Sequence, residues 1–467
     1  MTTPCQFQLN HQPVDMADCD PTESLLRWLK RRRLTGTKEG CADGDCGACT
    51  VALLQTESDG NTRFTAVNSC LLPLGSLPGR EVLTVEALQQ PGAPLHPVQQ
   101  ALVDHAGSQC GYCTPGFVMS LFAGYYAGEL GTTAIEGNLC RCTGYRPIRD
   151  AAAALARQPV ADDAFALRLR LPVTSTAGAL DGYHSPLTLA DAIALKQQFP
   201  DAVWIAGATD LGVELSHGRR RAATYIALDR IAELQQLELN QGHVRIGAAL
   251  PLSQLETRLA GLFPALDQML PWFAARQVRN RATLGGNLGT ASPIGDLLPV
   301  LLALDAVVHL RGPRGERDIA IADYFLGYRK TARADDELIA AVTLPRPPPP
   351  SSTTRQLSAA YKVAKRQTDD ISIVAAAFAV QIDAAGQVRQ ARLAYGGVAA
   401  IPCRAVGVED FLRGRTLDAA TMETAQALLQ AAFTPLSDHR AGAHYRRSLC
   451  ASLFAKFVAT ELTGAAA

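Results

Sequence analysis

The chain has 467 residues, 44 basic against 44 acidic side chains, and 48% hydrophobic residues. Such a length allows about three domains of ~150 residues. The apolar share excludes a largely disordered chain, and the balanced charge speaks against nucleic acid as the main partner. No stretch reaches the ~18 consecutive apolar residues of a membrane span. The start, with Pro4, Asn10 and Asp15 and no apolar core, does not read as a signal peptide. A cytoplasmic location is expected, and the twelve cysteines suit it if most are reduced or bound to metal.

Residues 5–10 alternate apolar and polar, as a half-buried strand does. Thr22 is placed to cap an amphipathic helix over 23–29, and Arg31-Arg32-Arg33 reads as its solvated basic end. Cys41, Cys46, Cys49 and the later Cys70 follow, at the spacing of a plant-type 2Fe-2S ferredoxin loop. Gly40, Gly44 and Gly47 let the chain turn sharply around them. Backbone N–H groups in such a loop can donate to cluster sulfurs. A zinc knuckle or a disulfide is the rival, but zinc sites usually pair two close-spaced hooks, unlike this uneven spacing. A strand at 50–54, a turn at 58–61 and a strand at 63–67 complete a small α+β domain ending near residue 90.

Residues 95–158 read as helical. Thr114 is placed as a cap with Pro115 at the first helical position; the apolar run 117–130 continues that helix, and 150–157 belongs to another. Beside these helix starts sit Cys110, Cys113, Cys140 and Cys142, where helix dipoles favour thiolate. Cys110-Gly-Tyr-Cys113 alone is weak, since CxxC also marks zinc and redox sites. Cys140-Arg-Cys142 puts two thiolates on one tight turn, so the quartet specifies a metal site without fixing the metal. Cys5, Cys19, Cys403 and Cys450 stand alone and read as buried small hydrophobes.

From about 159 to 180 the pattern dissolves into Pro, Asp, Ser, Thr and Gly, as in a linker. Strands and helices mix from 185 to 345: a buried strand at 202–206 runs into Gly207-Ala208-Thr209-Asp210, and 244–247 is another short strand. The proline run at 345–352 reads as an exposed connection. Beyond it, strands at 371–382 and 388–397 precede helices near 404–412 and 418–432. There is no internal repeat of solenoid period.

Three strings carry a family resemblance: Glu39-Gly-Cys-Ala-Asp-Gly-Asp-Cys-Gly-Ala-Cys-Thr50, Gln109-Cys-Gly-Tyr-Cys-Thr-Pro-Gly116 and Asn138-Leu-Cys-Arg-Cys-Thr-Gly-Tyr-Arg-Pro147. They resemble the xanthine oxidase family of molybdenum hydroxylases, in which both quartets hold 2Fe-2S clusters. The sequence departs from the family's loop at Ala42, Asp43 and Asp45, where Gly, Glu and Gly are usual, while the cysteines stay in place. Further on, Trp204, Ile205, Ala206, Gly207, Ala208, Thr209, Asp210 and Leu211, the stretch from Trp272 to Gln277, then Thr283, Leu284, Gly285, Gly286 and Asn287, and the stretch from Ser292 to Asp296 are similar to the family's FAD domain. Gly207 and Thr209 can offer N–H groups and a hydroxyl to a pyrophosphate, and Gly285 and Gly286 let the main chain approach it. Asn287 and Asp296 can bind ribose or adenine hydroxyls, and Phe273 can lie against the flavin. Alone, each glycine pair would be a plain turn; in order and at the family's spacing they imply FAD. Lys362 matches a lysine that contacts FAD, Ile339 an apolar flavin neighbour, and Tyr328-Arg329-Lys330 falls near the flavin's open face, toward NAD. Without the resemblance, Lys362 and Arg366 would read as a solvated charged face.

The resemblance implies an α+β multidomain chain. A β-grasp 2Fe-2S ferredoxin-like domain (1–90) precedes a four-helix 2Fe-2S domain (91–160), a linker (161–180), an α+β FAD-binding domain of the vanillyl-alcohol-oxidase type (181–348) and a C-terminal α+β subdomain (353–462). It resembles the small subunit of the family's bacterial purine-oxidising dehydrogenases, with no residue of the hydroxylation site on this chain. The expected partner is a molybdopterin-binding large subunit, in a dimer of heterodimers. Electrons would pass from its molybdenum cofactor through the helical-domain cluster, then the ferredoxin-like cluster, to FAD and on to NAD. No GxGxxG follows a strand, so NAD is expected over the flavin rather than on a Rossmann fingerprint. An aldehyde or N-heterocycle dehydrogenase subunit, a stand-alone NADH-dependent iron–sulfur flavoprotein reductase and a scaffold with a degenerate site are the alternatives.

Overall fold

The computed structural model describes residues 5–57, 59–88, 92, 94–173, 178–347, 353–366 and 368–463. Ser58 of the expected turn, residues 174–177 of the expected linker, 348–352 of the proline run and Gln367 lie outside the described residues. The chain forms two compact units. One comprises Met1–Gln235 with Ala274–Ala282, the other Gln236–Phe273 with Thr283–Ala467.

The first unit begins with a five-stranded sheet in the order Gln12–Asp15, Gln6–Leu9, Glu81–Leu83, Thr50–Thr56, Thr62–Asn68. Alternation in Gln6–Leu9 turns Phe7 and Leu9 inward, where they meet Val51, Leu53, Val67 and Val82. The helix Leu25–Arg31 adds Leu25, Trp28 and Leu29, residues spaced three to four apart that share one face. Its cap is Ser24, not the expected Thr22: Ser24 Oγ accepts from the Arg27 N–H at 3.4 Å. The N–H and hydroxyl of Thr22 both donate to Asp20 at 2.8 and 2.7 Å, closing a local turn one step too early to cap the helix.

Four helices follow: Pro97–Asp104, Thr114–Ala127, Arg146–Leu155 and Ala164–Leu169. They bury Leu102, Phe117, Leu121, Phe122, Ile148 and Leu155 against the other face of the sheet, at Leu54, Phe64 and Leu83. The cap of the second helix is Cys113 rather than the expected Thr114, with Pro115 in the first turn, and the helix stops at the left-handed Gly128. The fourth helix occupies the stretch expected to be a linker. Asp163 caps it, accepting from the Ala166 N–H at 2.9 Å. Phe165 anchors it edge-on to Phe64 and Phe122, so two aromatic contacts decide what local composition does not. A small sheet, Gly178–Leu180, Tyr183–Ser185, Tyr225–Ala227 and Val203–Ile205, completes the unit.

Among the described residues the second unit holds two larger antiparallel sheets and a two-stranded hairpin. Five strands run in the order Leu237–Leu239, His243–Gly247, Leu338–Pro345, Val307–Gly312, Gly315–Ala320. Four more, Thr354–Val363, Val374–Asp383, Val388–Gly396 and Cys403–Arg404, share a core with the helices Val406–Leu412, Ala419–Ala431 and Ala443–Thr463, built on Phe378, Tyr395, Phe454 and Phe457. Of the four lone cysteines only Cys450 is buried; Cys5, Cys19 and Cys403 are half-buried.

Candidate cofactor sites

The first quartet hangs between the helix Leu25–Arg31 and the strand Thr50–Thr56, with Cys70 brought back beyond the next strand. The Cys41 N–H donates to Cys46 Sγ at 3.3 Å and the Asp43 N–H to Cys41 Sγ at 3.4 Å. Asn68 Nδ2 ties the loop down through the Gly44 carbonyl at 2.7 Å. The thiols are electrostatic neighbours. A hydrogen bond from Cys41 pulls Cys46 down to about 6, and the same bond, with burial, pushes Cys41 up. Cys70 and Cys49 form the other pair: their shared hydrogen bond pulls Cys49 down and pushes Cys70 up, and both feel the charge of Cys41. All four are free thiols. A thiol-only donor set with backbone N–H groups aimed at sulfur fits an iron–sulfur cluster.

The second quartet is built the same way. Cys140 is buried and its Sγ accepts from the Cys142 N–H, the Thr143 N–H and the Thr143 hydroxyl at 3.4, 3.4 and 3.2 Å. Burial raises its pKa, but these donors outweigh burial and the thiol is shifted down. Cys113, raised to about 12 by burial and then by its bond to Cys140, faces it. Cys110 and Cys142 form the exposed pair: the Tyr112 amide and then Cys142 lower Cys110, and Cys110 raises Cys142.

The two loops touch. The Leu139 N–H donates to the Cys46 carbonyl at 3.0 Å, one residue ahead of Cys140. Asn138 Nδ2 donates to the Gly47 carbonyl at 2.9 Å, and the Tyr112 hydroxyl donates to the Glu39 carbonyl. The approach needs glycine: a Cβ on Gly116 would lie 2.2 Å from the Gly47 carbonyl oxygen, and one on Gly47 would lie 2.2 Å from that of Gly137. Gln277, from the short helix Arg276–Arg279, reaches into the same place. Its Nε2 donates to Asn138 Oδ1 and Ser120 Oγ, both at 3.0 Å. Arg276 pairs with Glu129 at 2.6 Å, Arg279 with Glu136 at 2.5 Å, and Asn280 Nδ2 donates to the Ala66 carbonyl at 2.8 Å. Asn138, Gly116 and Gln277 have no expected role from the sequence, although each stands at the edge of one of the family-like segments.

The flavin-type residues fall on both units. In the first unit, Trp204 and Ile205 end the strand Val203–Ile205, Ala206 to Asp210 form the turn, and Leu211 opens the helix Leu211–Ser216. Ile205 and Ala208 are buried, Asp210 is exposed, and Trp204, Gly207, Thr209 and Leu211 are half-buried. Gly207 is pressed on the Arg281 carbonyl, 1.7 Å from where a Cβ would be. Trp204 Nε1 is buried with no hydrogen-bond partner among the described residues.

In the second unit, Thr283 Oγ1 accepts from the Gly286 N–H at 2.9 Å and caps the helix Leu284–Thr290, with Leu284 and Gly285 buried. Asn287 Oδ1 is buried without a partner among the described residues. Such an orphaned acceptor in the first turn of a glycine-bearing helix fits a polar ligand. Phe273 is half-buried, and Ile339 is buried on Leu338–Pro345 with its Cδ1 3.9 Å from a Cβ built on Gly289. Lys362 is no solvated face: its side chain is buried, and its Nζ donates to Asp296 Oδ2 and the Trp272 carbonyl, both at 2.8 Å. Asp296 also accepts from Ser372 Oγ at 2.5 Å, so both its oxygens are engaged within the protein. Tyr328 is exposed, on the hairpin of Phe325–Gly327 and Lys330–Thr331.

Four family descriptions match in chain order. Residues 9–74 match a 2Fe-2S iron-sulfur cluster binding domain and 84–153 a [2Fe-2S] binding domain. Residues 175–347 match an FAD binding domain in molybdopterin dehydrogenase, and 359–460 a CO dehydrogenase flavoprotein C-terminal domain. A xanthine dehydrogenase from Emericella nidulans is 33% identical over 527 residues, covering 97% of this chain and 38% of the relative. Among solved structures, a Cu,Mo-CO dehydrogenase chain aligns with TM-score 0.56 and 29% identity over 61% of this chain and 98% of that one. A chain of quinoline 2-oxidoreductase from Pseudomonas putida 86 aligns with TM-score 0.56 and 26% identity over 62% and 99%. The chain spans about two fifths of the length of the curated relatives it matches. It carries two 2Fe-2S domains followed by an FAD-binding domain and a flavoprotein C-terminal domain. The series of four domains fits the small subunit of the xanthine oxidase family of molybdenum hydroxylases.

Proposed function

We propose that this chain is the iron–sulfur and flavin subunit of a xanthine dehydrogenase. It serves a molybdopterin-bearing partner that oxidises hypoxanthine and xanthine to urate, with NAD as the final acceptor, in a dimer of heterodimers. The observation that carries the reading is the pair of four-cysteine groups, each with backbone N–H groups donating to sulfur, on two loops joined by a direct backbone hydrogen bond. The similarity to a xanthine dehydrogenase over 97% of the chain supports the substrate class. That 98% of a CO dehydrogenase chain is covered by part of this one supports a separate molybdenum-bearing partner.

Cys41, Cys46, Cys49 and Cys70 would hold one cluster, and Cys110, Cys113, Cys140 and Cys142 the other. The stretches 204–211 and 283–287, with Phe273, Asp296, Ile339 and Lys362, would serve FAD. When bound, the clusters carry single electrons and the flavin exchanges a hydride with NAD. The protein's part is to hold and orient. The N–H groups at Cys41 and Cys46 favour a thiolate charge, and so do the Thr143 donors at Cys140. The exposed Cys110 and Cys142 face outward, as a partner-side quartet must. Lys362, locked by Asp296, presents a fixed positive charge rather than a mobile one.

The chain is to be purified anaerobically, its iron, sulfide and flavin quantified, and NADH added. About four iron and one flavin per chain are expected on the two-cluster reading, with bleaching of the flavin by NADH. A preparation that holds flavin but does not bleach removes the NAD assignment. Purine turnover by this chain alone contradicts the placement of hydroxylation on a partner. The likeness to quinoline 2-oxidoreductase favours an N-heterocycle as the second reading; comparing xanthine with quinoline as substrates of the assembled enzyme decides between them.

A further inference from the structure

The arginine run at 31–33 plays no part in either quartet, yet the fold hangs it beside one. The helix Leu25–Arg31 ends in Lys30 and Arg31, and Lys30 Nζ pairs with Glu39, two residues ahead of Cys41. A second helix, Leu211–Ser216, ends in His217, Gly218 and a second run, Arg219-Arg220-Arg221. His217 Nε2 hydrogen-bonds Asp43 Oδ1, two residues past Cys41. Two basic runs are therefore fastened to the two flanks of one cysteine loop. All six arginines are exposed. Arg31 is tied to Glu23, and Arg220 lies 3.7 Å from Glu214. Among the described residues no carboxylate pairs with Arg32, Arg33, Arg219 or Arg221.

Helix ends favour arginine for electrostatic reasons alone, but that effect fades beyond the last turn. It accounts for Arg31 and for the C-cap Arg32, whose guanidinium also lies 5.0 Å over the Trp28 ring, and not for Arg33 or residues 219–221, which lie past the last helical positions. Nor is the chain basic as a whole, with 44 charges of each sign. The positive charge is local, and the loop it surrounds is half-open: Gly40 and Asp45 are exposed, and Cys41 and Cys46 half-buried.

We propose that this face docks an acidic one-electron carrier protein of the ferredoxin class. The inference rests on the reading of the first quartet as a one-electron centre. The positive rim steers a negative partner and orients it over the loop. One electron then crosses between the carrier's iron–sulfur group and this chain, one being oxidised as the other is reduced, and no atom or proton moves. Such a contact gives electrons a route that does not need NAD.

The test uses the assembled, cofactor-loaded enzyme and an acidic plant-type ferredoxin as probe. Binding is measured by titration of a labelled ferredoxin, at low salt and at roughly physiological salt, where exposed charges are screened within about 8 Å. Binding should weaken at least tenfold with salt. The double variant R219E/R221E should weaken it at least tenfold at low salt, with NADH-driven flavin reduction unchanged. R32E/R33E, on the other flank, should do the same. Absence of binding, binding insensitive to salt, or equal binding of a basic cytochrome c overturns the proposal. So does loss of the molybdenum-bearing partner from the variants, which would assign the face to assembly. Iron and sulfide are measured in the same sample. A chain lacking the first cluster's signal overturns both the proposal and the reading beneath it, whereas an intact signal without ferredoxin binding overturns the proposal alone.

Discussion

Asn138 is the residue whose removal should disturb both cysteine loops at once. It is 1% exposed. Its Nδ2 donates to the Gly47 carbonyl at 2.9 Å, and its Oδ1 accepts from Ser120 Oγ at 2.6 Å and Gln277 Nε2 at 3.0 Å. Asn138→Ala deletes these three bonds in a site where no water replaces them cheaply. At about 1 kcal/mol net per bond the loss is about 3 kcal/mol, with a further contribution from the buried groups left unpaired. For a unit of this size each kcal/mol moves the melting temperature by ~2–4 °C, so a fall of about 6–12 °C is expected in the melting of the iron–sulfur unit. Asn138→Asp keeps the acceptor but sets a buried carboxylate against the Gly47 carbonyl, and should be at least as destabilising. The assay is calorimetry, paired with the electron paramagnetic resonance of the two reduced clusters. Gly47 lies beside Cys46 and Asn138 two residues before Cys140, so both signals should broaden or shift in the variant. A melting change under ~2 °C, or a change confined to one signal, would refute the view that Asn138 joins the two loops.

Other outcomes follow from single features. Cys142→Ser should abolish the signal of the second quartet and leave the first, since Cys142 hydrogen-bonds Cys110 within that quartet; loss of both signals by resonance would contradict separate sites. Ala42 holds a φ of +60° where a Cβ is disfavoured, so Ala42→Gly should stabilise the first unit by about 0.5–1 kcal/mol, read in denaturant unfolding; a loss of stability would show the strain reading wrong. Lys362→Met leaves Asp296 buried with only Ser372 as donor, and breaking a buried pair in this way costs about 3–5 kcal/mol. Flavin should be lost from the purified variant, and full flavin retention would remove Lys362 from the site. Burial pushes His96 down to about 4 from an ordinary value near 6.5. Its folded pKa lies below its unfolded one, so its share of stability is complete above pH ~6.5 and is lost as pH falls toward ~4. His96→Asn keeps a helix cap without a titrating ring and should flatten the acid side of a melting-temperature profile between those values; profiles that stay parallel would exclude His96 as a cause.

The cysteine ligands were legible because their spacing is local: each hook fits within one loop, and chemistry restricts which residues can stand there. The network that joins the loops was not legible for the opposite reason. Thr50, Ser120, Asn138 and Gln277 are polar residues of common type, the outer two 227 positions apart, and only folding brings them together. Helix starts were legible to within two residues, and the miss at Thr22 came from a nearby Asp20 that claims the same hydroxyl. The helix Ala164–Leu169 was hidden in a stretch of linker-like composition because its stabilisation comes from Phe165 packing on Phe64 and Phe122, far from it in the chain.

Gly116 shows what this arrangement requires of the chain. It sits inside the helix Thr114–Ala127, where glycine costs about 1 kcal/mol relative to alanine. Nothing in its own turn calls for that cost, since its backbone is ordinary helix. The reason lies 91 positions from Asn138 and across the loop contact: the Gly47 carbonyl, which Asn138 binds, stands 2.2 Å from where the Cβ would be. An alanine there would push the second quartet's helix off the first quartet's loop and stretch the Leu139-to-Cys46 hydrogen bond. Electron transfer slows steeply with separation, so it depends on the closeness of these two loops beyond what their contact adds to stability. A glycine kept inside a helix at this one contact therefore points to proximity between the two quartets, rather than to flexibility of either, as the property the fold is built to hold.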